Sequence, residues 1–214
     1  MTRHRPTLRR IALASLALLP LAASAAAPAI PTLTQAQSAM DALFDAAIAD
    51  RPATDSSRMV ADAFRPRLLG LSSCMPLDGA AAATVDCITT AQAGPEPVYR
   101  LLRFVYTEQR WTMPVEQRRI PVPVPVPPQE RVQVLLREAF IARAAQEADP
   151  AARAELAQAA RTADVVAVHA CDIGEDAPVI ECEVDAIVAS ERGRQPMAFV
   201  WGDGQWHNAP ATAQ

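Results

Sequence analysis

The 214-residue chain carries 20 basic and 24 acidic side chains, a formal charge of −4, and every basic one is an arginine. Half of its residues are hydrophobic, seven are glycine and four are cysteine. This balance argues against nucleic acid or an anionic membrane surface as partner, since both are bound mainly through Lys and Arg at phosphates, and so few glycines leave no phosphate-cradling loop. The absence of lysine and the abundance of alanine match the coding bias of a GC-rich bacterial genome, so the placement of arginines carries less information than usual.

At the N-terminus Arg3, Arg5, Arg9 and Arg10 precede an uncharged stretch from Ile11 to Ala23 and then small residues. This predicts a secretory signal peptide over residues 1–25, cleaved after Ala25. The 13-residue apolar stretch is shorter than the roughly 20 residues a membrane-spanning helix needs. Cys74 is the first cysteine, too far along to carry a lipid at the mature N-terminus. Cleavage removes four arginines and no acids, so 20 basic residues become 16 against 24 acidic ones, a charge of −8. The expectation is a periplasmic or secreted protein with no membrane anchor, and a basic protein as the matching partner.

A first repeat is expected over residues 26–116. Thr34 and Gln37 fit a capping box, and Met40, Leu43, Phe44, Ala47 and Ile48 fall on one helical face. Arg51-Pro52 ends that helix; a second runs from about Ser56 to Phe64 and stops at Pro66. Strands carrying Cys74 and Cys87 follow, then a strand whose Leu102, Phe104 and Tyr106 share a face. Residues 117–129 are proline-rich. The segment "IPVPVPVPP", 120–128, reads as a stiff polyproline linker. The alternative is an edge strand in which Val122, Val124 and Val126 pair while the prolines block the outer side.

The second repeat, 130–214, opens with a stripe of Val132, Leu136, Ala139 and Phe140, and Asp149-Pro150 caps a further helix near Ala151 to Arg161. Along "VIECEVDAIV", Ile180, Cys182, Val184, Ala186 and Val188 alternate with Glu181, Glu183 and Asp185, the pattern of a half-buried strand. In the last strands Met197, Phe199 and Trp201 share a face, and Asp203-Gly204 supplies the positive φ angles of a tight hairpin.

Shifted by 95 positions, "FVYTEQRW" (104–111) lies over "FVWGDGQW" (199–206), and residues 87–111 keep six identities in 25, Cys87/Cys182, Phe104/Phe199 and Trp111/Trp206 among them. Upstream the shift becomes 97, with 12 residues inside the first cysteine pair and 10 inside the second. The predicted fold is α+β, two tandem duplicated helix-helix-strand-strand-strand domains with antiparallel sheets. "TEQR" lacks the glycine of "GDGQ", so the first hairpin is expected to be wider or of another type. The element order and "DGQW", 203–206, resemble the cone-shaped domains of the nuclear transport factor two-like superfamily. The resemblance implies a curved antiparallel sheet wrapped around a helix, with a pocket between them.

Four cysteines in an exported chain predict two disulfides. Three pairings exist, and duplication favours Cys74–Cys87 and Cys171–Cys182. No metal-ligand spacing and no cofactor motif occur. Among histidines beyond the signal peptide, His169 and His207 stand opposite Ser72 and Thr112, an asymmetry that speaks against a shared catalytic pair. The chain is therefore read as a non-enzymatic protein-binding module, for instance an inhibitor or immunity factor against a basic cell-wall-directed toxin or lysozyme. Glu181, Glu183 and Asp185 form the candidate docking stripe, on what is otherwise a solvated strand face. The competing reading is small-molecule binding in a helix–sheet pocket lined by Leu102, Phe104 and Tyr106 or by Met197, Phe199 and Trp201. A third is an envelope assembly factor.

Overall fold

The computed structural model describes residues 30–49, 60–61, 63–92 and 94–210. Residues 1–25, expected to be a signal peptide, lie outside them, as does part of the helix expected from Ser56 to Phe64, whose residues 60, 61 and 63 are helical. Among the described residues the architecture is α+β, with three full helices and two four-stranded antiparallel sheets of sequential strand order. Helix α1 (Leu33–Ala49) precedes β1 (Arg67–Pro76), β2 (Thr84–Gln92), β3 (Pro97–Thr107) and β4 (Arg110–Thr112). After a 3-10 turn at Val115–Arg118 come α2 (Gln129–Gln146), α3 (Pro150–Thr162), β5 (Asp164–Ile173), β6 (Ile180–Val188), β7 (Glu191–Gly202) and β8 (Gln205–Asn208). No helix among the described residues is long and apolar enough to cross a membrane.

Local chemistry explains most boundaries. The Asp149 carboxylate accepts from the backbone N–H groups of Ala151 and Ala152 at 3.2 and 3.3 Å, and Pro150 occupies the first turn, where its missing N–H is harmless. The capping box of α1 sits two residues earlier than expected. Thr32 N–H donates to Gln35 Oε1 at 2.9 Å and Gln35 N–H to Thr32 Oγ1 at 3.3 Å. Gln37 is thereby free for another task. Its amide donates to Pro66 O at 3.1 Å and accepts from Leu68 N–H at 2.7 Å, pinning the start of β1 to α1. Gln133 repeats the arrangement in the second unit, donating to Ala163 O at 2.8 Å and accepting from Val165 N–H at 2.6 Å. Each glutamine satisfies two backbone groups at the strand start that neighbouring strands do not reach.

Both disulfides form as expected, Cys74–Cys87 between β1 and β2 and Cys171–Cys182 between β5 and β6, as suits an oxidising compartment. Each lies at a register shift of the first strand of its sheet, and the residue before the leading cysteine has positive φ in both, Ser73 at 45° and Ala170 at 48°. The two late hairpins are also alike, which corrects the expectation of a wider first turn. Thr107 pairs with Arg110 and Gly202 with Gln205, each across two residues in the left-handed region. These are Glu108 (φ 52°) and Gln109 (φ 62°) in one case, Asp203 (φ 50°) and Gly204 (φ 75°) in the other. Strand pairing and the packing of the flanking Tyr106 and Trp111 rings impose on Glu and Gln a backbone that glycine adopts more easily.

The first core fills the space between α1 and one face of the first sheet: Ala36, Ala39, Met40, Leu68, Val85, Cys87, Ala91, Phe104 and Trp111. The second joins α2 and the inner face of β5–β8 to Met75, Ile88 and Leu101 from the back of the first sheet. That back face would meet solvent in an isolated unit; here it packs against its neighbour, and Trp201 N–H donates to Ser73 Oγ across the junction at 3.1 Å. The proline-rich segment belongs to this junction. Residues 121–128 are neither helix nor strand, so the edge-strand ladder does not form, yet Val122 and Pro127 are buried and Val124 half-buried. The segment is a strap laid on the shared core.

Candidate functional site

The space between α2 and the second sheet is filled. Phe199 is fully buried, while Met197 and Trp201 pack half-buried against the cluster that holds Leu135, Leu136 and Trp206. Trp201 and Trp206 meet edge to face with ring centroids 5.4 Å apart. The stripe predicted for α2 differs in one member: Leu135, 1% exposed, takes the inward place, and Ala139 is exposed. Packing on the sheet decides this, because the face that reaches the sheet is set by packing as well as by periodicity.

The first unit is built from smaller parts. At a shift of 96, Gln37 stands where Gln133 stands and Phe44 where Phe140 stands; on the same count Ala36 and Ala39 replace Val132 and Leu135. Helix α1 consequently leaves open grooves on both flanks. One, of about 380 Å³, is walled by Met40, Leu43, Phe44 and Ala47 of α1 and by Ala91 and Leu102 of the sheet, with Arg100 at the β3 side. Of the three residues expected to line a pocket here, Leu102 does so. Phe104 is fully buried in the core beneath it, and Tyr106 packs against Trp111 at 5.3 Å between centroids. The second groove, of about 410 Å³, lies between α1 and β4 and is floored by Trp111. Leu43 and Met113 wall both.

Most polar groups around the first groove are already engaged. Thr89 Oγ1 donates to Arg100 O at 3.0 Å. The Gln117 side chain accepts from Arg103 N–H at 2.9 Å and donates to Arg103 O at 2.7 Å, closing the edge of β3 beyond the short β4. Arg65 lies 4.8 Å from the Phe44 ring centroid and pairs with Asp45 at 2.6 Å, holding the C-terminal half of α1. Arg100 and Arg118 are the cationic side chains at this groove, and the Arg100 guanidinium has no ion-pair partner among the described residues.

The acidic stripe is shorter than its sequence suggests. Glu181 is exposed and Glu183 half-buried, but Asp185 is only 7% exposed. Its carboxylate accepts from Arg194 Nε at 2.7 Å and from Arg192 at 3.2 Å, with His169 Nε2 at 3.6 Å. The hydrogen-bonded Arg194, with Arg192 and His169 beside it, holds the Asp185 carboxyl well below the usual carboxylate range against the opposing effect of desolvation. A second such pair sits on the back of the first sheet, where Arg103 grips Asp86 with two bonds of 2.7 Å. Sequence reading missed both pairs because each joins residues directly opposite on neighbouring strands, Asp86 with Arg103 and Asp185 with Arg194. The strand register alone would have revealed them.

His207 hydrogen-bonds Gly202 O at 3.0 Å, whereas His169 sits on β5, two strands removed from β8; the structure does not bring the histidines together. Among the described residues no cluster of three or more His, Cys, Asp or Glu side chains could hold a metal ion. No protein-family model, no curated protein and no solved structure matches the chain.

Proposed function

We propose that the protein is an exported binding module descended from a duplicated α+β unit, in which the first unit takes a small apolar ligand with an anionic end and the second serves as a filled scaffold. The observation that carries this reading is the groove of about 380 Å³ between α1 and the first sheet, apolar on both walls, with Arg100 at its side. Its volume falls in the range typical of small-molecule sites. The signal-peptide-like pattern of residues 1–25 and the two disulfides support work in the periplasm or outside the cell. Docking of a basic protein on Glu181, Glu183 and Asp185 has less support, because Arg192, Arg194 and His169 already meet the Asp185 charge.

The test uses oxidised protein of residues 26–214 and titrates dodecanoate and dodecanol against a bound environment-sensitive fluorophore. Dodecanoate should displace the fluorophore better than dodecanol, and Ala47→Phe, which projects a ring into the groove, should weaken both. Equal, unsaturable responses from wild type and variant would sink the proposal.

A further inference from the structure

The groove of about 410 Å³ on the other flank of α1 is roomy, but its polar side chains are largely spent. Gln35 Oε1 accepts from Thr32 N–H at 2.9 Å, Ser38 donates to Thr34 O at 3.0 Å and Thr112 Oγ1 donates to Val105 O at 3.2 Å. Arg110 is turned toward Glu108 at 3.6 Å on the exposed hairpin. What remains is chiefly apolar, Ala39, Ala42, Leu43 and Ala46 of α1 together with Trp111 and Met113. A site that holds a small molecule by itself needs a few polar groups to fix its orientation; this space suits hydrocarbon. The groove of about 380 Å³ has the opposite balance, since Arg100 stands between Val98 and Leu102 along its β3 wall. Leu43 and Met113, both half-buried, wall the two grooves alike, so the two spaces meet across these side chains. Methionine, unbranched and with three rotatable bonds, adjusts readily to what lies beside it.

The second unit shows what a closed version looks like. Leu135 stands there in the place of Ala39 and is buried in one cluster with Trp206. Arg131 Nε donates to Trp206 O at 2.8 Å and Asn208 Nδ2 to Leu135 O at 2.8 Å, tying α2 to β8. On the shift of 96 that matches the helices, Gln35 and Ala39 replace Arg131 and Leu135, so the first unit keeps neither that arginine tie nor the side chain that fills the space.

We infer that the two grooves are arms of one site for a long-chain acyl anion, whose carboxylate lies on Arg100 and whose tail passes between Leu43 and Met113 into the α1–β4 groove. This rests on the ligand proposed above for the Arg100 groove and narrows it to one chain-length class. Reaching the second arm means crossing the width of α1, roughly 10 Å with its side chains. A short chain therefore stays in the first arm, and a long one continues into the second.

The experiment titrates dodecanoate and hexadecanoate, each below its micelle concentration, into 15N-labelled, oxidised protein of residues 26–214. Hexadecanoate should bind tighter than dodecanoate by on the order of 100-fold, as four further methylenes become buried. Both acids should shift the amide resonances of Ala47 and Val98, and hexadecanoate alone those of Ser38, Ala42 and Thr112. Ala42 and Ala46 are exposed on the flank of α1 that lines the second arm, so Ala42→Phe and Ala46→Phe put a ring there without entering the core. Each should cut the hexadecanoate advantage to under ~5-fold while leaving dodecanoate binding unchanged. If neither acid binds, the Arg100 groove fails as a ligand site and the shared site falls with it. Dodecanoate that binds while hexadecanoate gains nothing, or shifts only the resonances of the first arm, overturns the shared site alone. An advantage that survives both phenylalanine variants overturns it as well.

Discussion

Replacing Gln37 by methionine removes two hydrogen bonds to the backbone, along with a part-buried one from Gln37 Nε2 to Asp41 Oδ1 at 3.0 Å within the helix, and little else, since the side chains are similar in volume and in helix propensity. Gln37 Nε2 donates to Pro66 O at 3.1 Å and Gln37 Oε1 accepts from Leu68 N–H at 2.7 Å, and Leu68 is 5% exposed, so its amide is left without water or partner. About 1 kcal/mol for the bond to Pro66 O, with ~1–3 kcal/mol for stranding the buried Leu68 donor, gives an expected loss of about 2–4 kcal/mol. That is a large share of the ~5–15 kcal/mol that typically holds a domain together. Gln133→Met should lose somewhat less, because Arg137 also donates to Ala163 O at 3.0 Å and keeps that carbonyl paired. Urea unfolding of the oxidised protein measures both, with an unchanged slope showing that only the native state was altered. Losses under about 0.5 kcal/mol in both variants would refute the reasoning, since water would then replace the amide at no cost.

Ile88 is fully buried where the back of the first sheet meets the second unit, and Ile88→Ala should cost about 2–4 kcal/mol. Unfolding should stay a single transition by circular dichroism and tryptophan fluorescence; two separated transitions would show that the units do not share a core. Gln109→Gly should raise stability in urea by up to ~1 kcal/mol, as glycine adopts the φ of 62° without strain. A loss would show that the Gln109 side chain makes a compensating contact. For Asp185, whose carboxyl is held below its ordinary value of about 3.9 in unfolded chains, stabilisation is complete above that value and fades as pH falls through the lower folded one. Wild type should therefore exceed Asp185→Asn in stability at pH 7, and the gap should close under acid. It should also shrink in high salt, because Arg192 and Arg194 have well-exposed side chains. A gap that grows below pH 4 would contradict the assignment.

Features fixed by neighbouring residues were legible in the chain. Alternation along residues 180–188 placed Cys182 and Val184 inward, Asp149-Pro150 marked a helix start, and each cysteine pairs with its near neighbour in sequence, as the similarity of the two halves suggested. These depend on periods of two and 3.6 and on backbone chemistry within a turn, which sequence encodes directly.

What the chain did not disclose depends on residues far apart in it. Gln37 reads as a capping residue until the start of β1, 29 residues later, arrives beside it. Asp185 reads as part of a solvated stripe until β7 brings Arg192 and Arg194 across. Glu108 and Gln109 read as poor turn formers, yet the strands they join force them into the left-handed region. The grooves beside α1 come from a difference in side-chain volume, Ala39 against Leu135, whose meaning emerges only when both helices are laid on their sheets. Sequence determined most of the described elements, the inward face of β6 and the disulfides, because local geometry sufficed. Tertiary structure decided which charges are met and which space stays open, because burial and pairing belong to surfaces brought together by the whole fold.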